Sequence, residues 1–505
     1  MFLSPPSVVL LPISEYLYYT TMASPIPQPP GLPFLGNILD VNPSNTWGSL
    51  NALAEKHGMF FLFYFLLRII NSLTNKSGPL FKINVLGHQI VFVGNAAYLE
   101  EICDQTRFRK CVAGPVVAIR AAVHDSLFTA FHEEEESWGI AHRIMAPLVS
   151  PDAVREEFGG MRETAKDLVK KWTSGNKQKV SVTNDLDRLN HAANMLCFFN
   201  QRVDCVLGQE PAVIKAQESA TGEAMRRPTR PRLLNWLFYN RKFDNDIKTM
   251  RDYGAKIVAQ RRNNPSEEKQ DMLNALINGK DPQTGKGLTE SQILDEIINI
   301  FIGSATAPNL VSFAIYYLIK NPQEITRAQE EIDRVVGSAE WDYSHLSQLP
   351  YCEAILREAF RLSAVAPGFN IEPIPESQGP IKLGDGKYEV PVNQPIIAIL
   401  SQVNRDPEVF DEPNAFRPAR LVGEKYDRLP AGVKKGFGNG KRECIGKKYA
   451  YDWSFFALVA ILRDVDLAEA NPKYEVANAG VNYNGAFSVK PLGLQALVSP
   501  RKKQV

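Results

Sequence analysis

Phe437-Gly438-Asn439-Gly440-Lys441-Arg442-Glu443-Cys444-Ile445-Gly446 runs into an apolar helical stretch from Tyr449 and has the spacing F-x-x-G-x-R-x-C-x-G. Each residue type answers a need of a heme-thiolate site. Cys444 offers an anionic sulfur as metal ligand, which pushes electron density onto iron and favours O–O cleavage. A cysteine just before a helix faces the positive end of the helix dipole, which favours thiolate. Gly440 and Gly446 let the backbone turn tightly and lie close to a flat macrocycle. Arg442 is suited to pair with a heme propionate, and Phe437 to shield the sulfur from water. At average residue usage, five fixed positions match by chance on the order of once in ten thousand chains of this length. The competing reading is a buried free cysteine in a Gly-rich turn.

The chain has 505 residues, 44% apolar and 22% charged, an ordinary globular profile with ample material for a large core. A formal net charge of +1 gives no general electrostatic case for nucleic acid or an anionic membrane. Cys103, Cys111, Cys197, Cys205, Cys352 and Cys444 are too few and too scattered for a disulfide framework. They read as reduced thiols of an intracellular protein, cytoplasmic or loosely associated with the endoplasmic reticulum membrane.

Residues 1–24 read as an N-terminal extension, with no basic n-region and no long unbroken apolar core. Met22 is the expected functional start, just before the proline-rich Pro25-Ile26-Pro27-Gln28-Pro29-Pro30-Gly31. Ser44 to Gly58 reads as an amphipathic helix, and Pro79 to Gly94 as a strand pair around Gly87. Between them, residues 59–78 hold an apolar run, containing Arg68, that is too short to span a bilayer. Three readings stand for it: a monotopic membrane contact, a buried insert, or a retained intron. The last has its own support. Gly58-Met59 can carry the donor-like GGTATG, Thr74-Asn75 the branch-like CTAAC, and Ser77-Gly78 the acceptor TCAGG. Its removal joins His57-Gly58 to Pro79-Leu80.

Further on, Pro151 to Arg262 is helix-rich, and Asp271 to Gly279 reads as a helix followed by a turn at Asp281 to Gly287. A long apolar helix starts at Thr289-Glu290-Ser291 and runs to about Lys320, where Asn321-Pro322 ends it. Helices are also predicted over Gln323 to Val336 and Leu349 to Leu362, with short strands between Gly379 and Leu400.

Ile302-Gly303-Ser304-Ala305-Thr306-Ala307-Pro308 lies within the long helix, where Gly and Pro weaken the hydrogen-bond ladder. An opening there admits O2 and water, and Thr306 is placed to donate a hydrogen bond and guide protons. The alternative is a threonine bonded back to its own helix. Glu358 and Arg361 stand at i, i+3, and Arg420 follows. They read as a buried charge triad beneath the cysteine loop, against the bland reading of an exposed helix pair. Trp138 and His142, at i, i+4, can both donate to a propionate, against core packing and a surface histidine. Phe128, in Ser126-Leu127-Phe128-Thr129, is a candidate lid over the cofactor.

Together these elements resemble the cytochrome P-450 monooxygenases over nearly all of residues 25–500, and most of all the heme domain of the fungal-type self-sufficient fatty-acid hydroxylases. The matching stretches are Arg107 to Lys110, His124 to Thr129, Trp138 to Pro147, Phe313 to Pro322 and Lys435 to Lys448. The resemblance implies a mainly α, triangular prism fold with a small β region. It implies heme b between the helix of Thr306 and the loop of Cys444, and a substrate pocket at Phe128, Ile302, Ala305 and Ala366. It also implies O2 and electrons from an NADPH-dependent flavoprotein reductase, which is expected to be a separate protein because the chain stops at Val505. The substrate is expected to be a small apolar organic molecule, in secondary metabolism.

Five positions depart from the family pattern. Ala305 stands where an acid normally precedes the threonine, which removes a proton-relay carboxylate. Ile302 replaces a small residue and narrows the pocket. His88 and Phe92 replace an Arg and a Tyr that hold a substrate carboxylate, which favours a neutral substrate. Ala364 replaces a proline. Two rivals follow: a reductase-independent heme-thiolate isomerase or peroxygenase, and a non-catalytic heme-binding protein.

Overall fold

The computed structural model describes residues 23–55, 80–85, 87–264, 270–337, 340–375, 379–476, 483–485 and 487–502. The segment 59–78, with its three readings, and the start at Met22 lie outside the described residues. Six helices position the site: α1 (Glu136–Met145), α2 (Val182–Phe199), α3 (Glu290–Ser304), α4 (Ala307–Lys320), α5 (Pro350–Ser363) and α6 (Lys447–Asp464). The α4 helix packs on α2, α5 and α6 at once. Its residues from Ala307 to Tyr316 are all buried. A helix that is apolar all round belongs in the middle of a core.

The predicted long helix starts where its capping signal stands. Thr289 accepts from the Gln292 N–H, and the Gln292 side chain returns to the Thr289 N–H. It does not run unbroken to Lys320. Residues 305 and 306 form a turn between α3 and α4. Pro308 has no N–H to give the Ser304 carbonyl, and Asn190 of α2 donates its Nδ2 to that oxygen at 3.1 Å instead. Glu290–Lys320 is the one described helical stretch long and apolar enough to cross a membrane, and it is mostly buried in the core.

The small β region is as predicted. Leu80–Val85 and His88–Val93 pair antiparallel around Gly87, which sits at φ +87°. They open a five-stranded sheet that continues through Ile396–Ala398, Asn370–Pro373 and Phe108–Lys110. A three-stranded sheet joins Gln178–Ser181, Gln495–Pro500 and Val465–Glu469. Among the described residues, exposed large apolar side chains concentrate at Leu233, Trp236, Leu237 and Phe238, and near Phe34 and Leu39.

Ala364 takes φ +20° and donates its N–H to the Phe360 carbonyl at 2.9 Å. Proline can do neither. This exit from α5 is therefore closed to proline at position 364.

Candidate functional site

The loop from Lys435 to Gly446 is held by its own backbone. The Cys444 N–H donates to the Phe437 carbonyl at 2.9 Å, and the Glu443 N–H to that of Gly440 at 3.0 Å. Gly438 and Gly440 take φ +88° and +67°, and a Cβ on Gly440 would meet Gln105 Oε1 at 2.4 Å. Only glycine enters that conformation freely. Gly446 lies in a turn closed by the Lys447 N–H on the Cys444 carbonyl at 3.2 Å, but its φ of −84° is within reach of any residue. Its bare Cα borders the cavity below, with nothing within 4 Å of where a Cβ would stand. Gly440 in turn shapes the loop without lining that cavity. The Phe437 ring does line it and packs on Phe360 at 5.3 Å.

The loop faces a cavity of about 1290 Å³. A drug-sized ligand site spans roughly 300–1,000 Å³, so there is room for a large prosthetic group together with a substrate. Of the six cysteines, Cys444 alone is exposed, and it opens onto this space. Surrounding protein pushes its pKa up, while the Gly446 N–H and Lys110 pull it back. Burial outweighs both, and a bound metal cation would supply the missing stabilisation of thiolate. Cys111 also lines the cavity, but it is buried, and its thiol is pushed up to about 12 by burial and Glu372.

Arg442, Trp138 and His142 stand together at one corner of the cavity. Arg442 is buried, and its Nη2 donates to the carbonyls of Ala130, Leu127 and Phe128 at 3.0, 3.4 and 3.5 Å. Its Nη1 is buried with no partner among the described residues. The guanidinium lies 5.4 Å over the Trp138 ring, which stacks on His142 at 4.8 Å. Burial, then Arg143 and Arg442, pull the His142 pKa down. Lys110, missed in the sequence, joins them: it lines the cavity, and burial and Arg442 pull its amine down to about 8. The Lys110 amine, held down beside Arg442, and the orphaned Arg442 donor call for an anion. No cluster of three or more His, Cys, Asp or Glu among the described residues could hold a bare metal ion. One thiol plus an anion-binding corner suits a flat anionic group that brings its own equatorial ligands.

Phe128, Ile302, Ala366, His88 and Phe92 all line the cavity as expected, as does Thr306. Ala305 does not: it borders a second, smaller cavity on the other side of the helix break. The Thr306 hydroxyl donates to the Gly303 carbonyl at 3.2 Å, the local bond that was the alternative reading.

The triad is present, with one change. Arg361 meets Glu358 through two bonds of 2.7 and 2.8 Å, both side chains buried. It also donates to the carbonyls of Asn404, Pro413 and Ala415. Arg420 approaches Glu358 only as an ion pair, Nε to Oε1 at 3.4 Å, and spends its N–H groups on the carbonyls of Asp411, Glu412 and Ala415.

Glu296 was also missed. From α3 it accepts the Leu127 N–H at 2.9 Å, holding the loop whose carbonyls receive Arg442. Burial pushes its pKa up to about 7. An acid raised in the folded state binds more protons there, so its stability contribution is present at low pH and is lost as pH rises from about 4.5 to 7. Glu296→Gln is therefore expected to stabilise the protein at pH 8, by on the order of 2 kcal/mol, and to change little at pH 4. Thermal unfolding at the two pH values checks this; equal effects at both would reject it.

The cytochrome P450 family model matches residues 65–475. A self-sufficient cytochrome P450 monooxygenase of Exserohilum turcicum is 34% identical over 95% of this chain and 42% of its own length. Bifunctional cytochrome P450/NADPH–P450 reductases of Acremonium egyptiacum and Aspergillus oryzae are each 34% identical over 90% of this chain, covering 42% and 40% of their own lengths. The chain thus spans about two fifths of the length of these relatives.

Proposed function

Because the chain belongs to the cytochrome P450 family, we propose that it is a monooxygenase holding heme b through Cys444 and inserting one oxygen of O2 into a small apolar organic substrate. The observation that carries this reading is one cavity shared by an accessible thiol and an unpartnered buried guanidinium N–H. Heme, when bound, supplies the redox and oxygen chemistry, and the protein supplies placement and electrostatics.

Cys444 would hold the iron through its sulfur, its position set by the backbone bond to Phe437. Arg442, Lys110, Trp138 and His142 would receive the propionates. Phe437, packed on Phe360, would help to keep water from the sulfur once the group is bound. Phe128, Phe92, Ile302 and Ala366 form an apolar wall that excludes water and orients the substrate. The Thr306 hydroxyl proton, held by the Gly303 carbonyl, turns into the cavity by rotation about one bond.

The wall supports a neutral substrate. Of the arginines lining the cavity, Arg442 is assigned to a propionate, Arg227 and Arg230 are paired with Glu223, and Arg232 is exposed. The electron source in this reading is an NADPH-dependent flavoprotein reductase, an activity that the names of two relatives join to their own P450 region.

The test is a substrate-binding difference spectrum against a small apolar library, followed by product analysis with O2, NADPH and a reductase. Oxygenated product that requires NADPH supports the reading. Product without NADPH moves the assignment to an isomerase or peroxygenase. Bound heme with neither spectral response nor product leaves a heme-binding protein.

A further inference from the structure

The second cavity, of about 60 Å³, lies behind the break between α3 and α4. Where the main cavity is apolar, this one is bordered by Asp187, Asn194, Glu218, Asn309, Ser488 and Lys490. Asp187, Asn190, His191 and Asn194 reach it from one face of α2, at the i, i+3, i+4, i+7 spacing of a helical stripe. Asn194 is 1% exposed, and neither its Nδ2 nor its Oδ1 has a partner among the described residues. Asn309 is 2% exposed; its Nδ2 donates to the Ala305 carbonyl and to Ser488 Oγ, while its Oδ1 is unpartnered. A polar void of this size with several free polar atoms is where buried water sits, each molecule making about three hydrogen bonds.

The cavity connects two places that matter. At its outer end Lys490 bridges Asp187 at 2.8 Å and the half-exposed Glu218 at 3.3 Å. At its inner end Asn190, Ser304 and Phe487 line both cavities, so the wall between them is these side chains and the bond from Asn190 to the Ser304 carbonyl. Thr306 stands on the far side of that wall.

We propose that this cavity is a water-filled proton conduit from the Asp187–Glu218–Lys490 cluster at the surface, past Asn194 and Asn309, to the helix break at Thr306, replacing the carboxylate that Ala305 lacks. The inference rests on the monooxygenase reading. That reaction is RH + O2 + 2 e− + 2 H+ → ROH + H2O, with both electrons drawn from NADPH through the reductase and both protons from the medium. The conduit carries the protons along hydrogen-bonded water, and no covalent bond to the protein forms or breaks. Asp187 is suited to the outer station: burial pushes it up to about 6 against the pull of Lys490, so it exchanges protons near neutral pH. His191 is held down at about 4 by burial and stays neutral there.

The experiment is a high-resolution crystal structure of the heme-loaded protein, wild type and Asn194→Leu, beside a coupling assay on Asn194→Leu and Asp187→Asn. Ordered water is expected between Asn194 and Asn309 in the wild type, and its loss in Asn194→Leu. The fraction of NADPH electrons recovered as product should fall on the order of tenfold or more in both variants, with peroxide release rising and substrate Kd unchanged. A dry wild-type cavity overturns the conduit, as does unchanged coupling in both variants. Either result leaves the monooxygenase reading intact. Failure of the wild type to form any oxygenated product would overturn that reading, and the conduit with it.

Discussion

Cys444→Ser is expected to yield a folded protein whose reduced carbon monoxide complex has lost the Soret position of a thiolate ligand, with product formation at background. The fold should survive because the bonds that shape the loop are backbone bonds: Cys444 N–H to the Phe437 carbonyl, and Glu443 N–H to that of Gly440. The ligand chemistry should not survive, because the sulfur's electron donation sets both the band and the O–O cleavage, and a serine hydroxyl is a poor anion. The structure supplies an internal control. Cys111 lines the same cavity, but burial and Glu372 hold its thiol at about 12. Cys111→Ser should therefore keep the thiolate band. If the band disappears with Cys111→Ser and persists with Cys444→Ser, the assignment of the thiolate ligand is wrong.

Arg361→Leu carries the largest expected loss of stability, about 3–5 kcal/mol, because it strands a buried carboxylate. Glu358 is fully buried, and Arg361 is its hydrogen-bonded cation, since Arg420 remains at 3.4 Å without a hydrogen bond from Nε. The same substitution leaves the carbonyls of Asn404 and Pro413 without the Nη1 that joins them. The Pro413 carbonyl belongs to the segment that leads into the cysteine loop, so heme retention should fall along with the unfolding midpoint. Glu358→Gln should be milder, because an amide oxygen still accepts the Arg417 N–H, at 2.9 Å in the wild type. Denaturant unfolding of the two variants checks the order. An Arg361→Leu midpoint within error of wild type would show that the network does not hold the loop.

The proximal loop was legible because its chemistry is contiguous: ligand, glycines and arginine fall within ten residues of chain and need no tertiary guess. Glu358 and Arg361 became legible only beside that loop, since the same spacing on a surface helix means little. What escaped was set by tertiary placement. Lys110 and Glu296 are ordinary charges in the sequence, and their roles come from burial against Arg442 and the Leu127 N–H. The orientation of Ala305 was hidden for a related reason. Continuing the helix through residue 305 puts its side chain near that of Ile302, but the turn at residues 305 and 306 directs it to the other cavity. The asparagine stripe on α2 could have been seen as polar residues on a helix otherwise rich in core positions. Its partner Lys490 comes from a segment far along the chain, and no local pattern joins the two.

The free Nη1 of Arg442 has a bearing on the life of this protein in a cell. A buried donor left without an acceptor lowers the stability of the fold by roughly 1–3 kcal/mol, and whatever satisfies it raises the population of the native state by mass action. The unloaded chain is then the form presented to chaperones and proteases. Steady-state abundance should follow the supply of prosthetic group, with no change in synthesis. One unsatisfied hydrogen-bond donor would thus tie the amount of this protein to the supply of whatever group satisfies it.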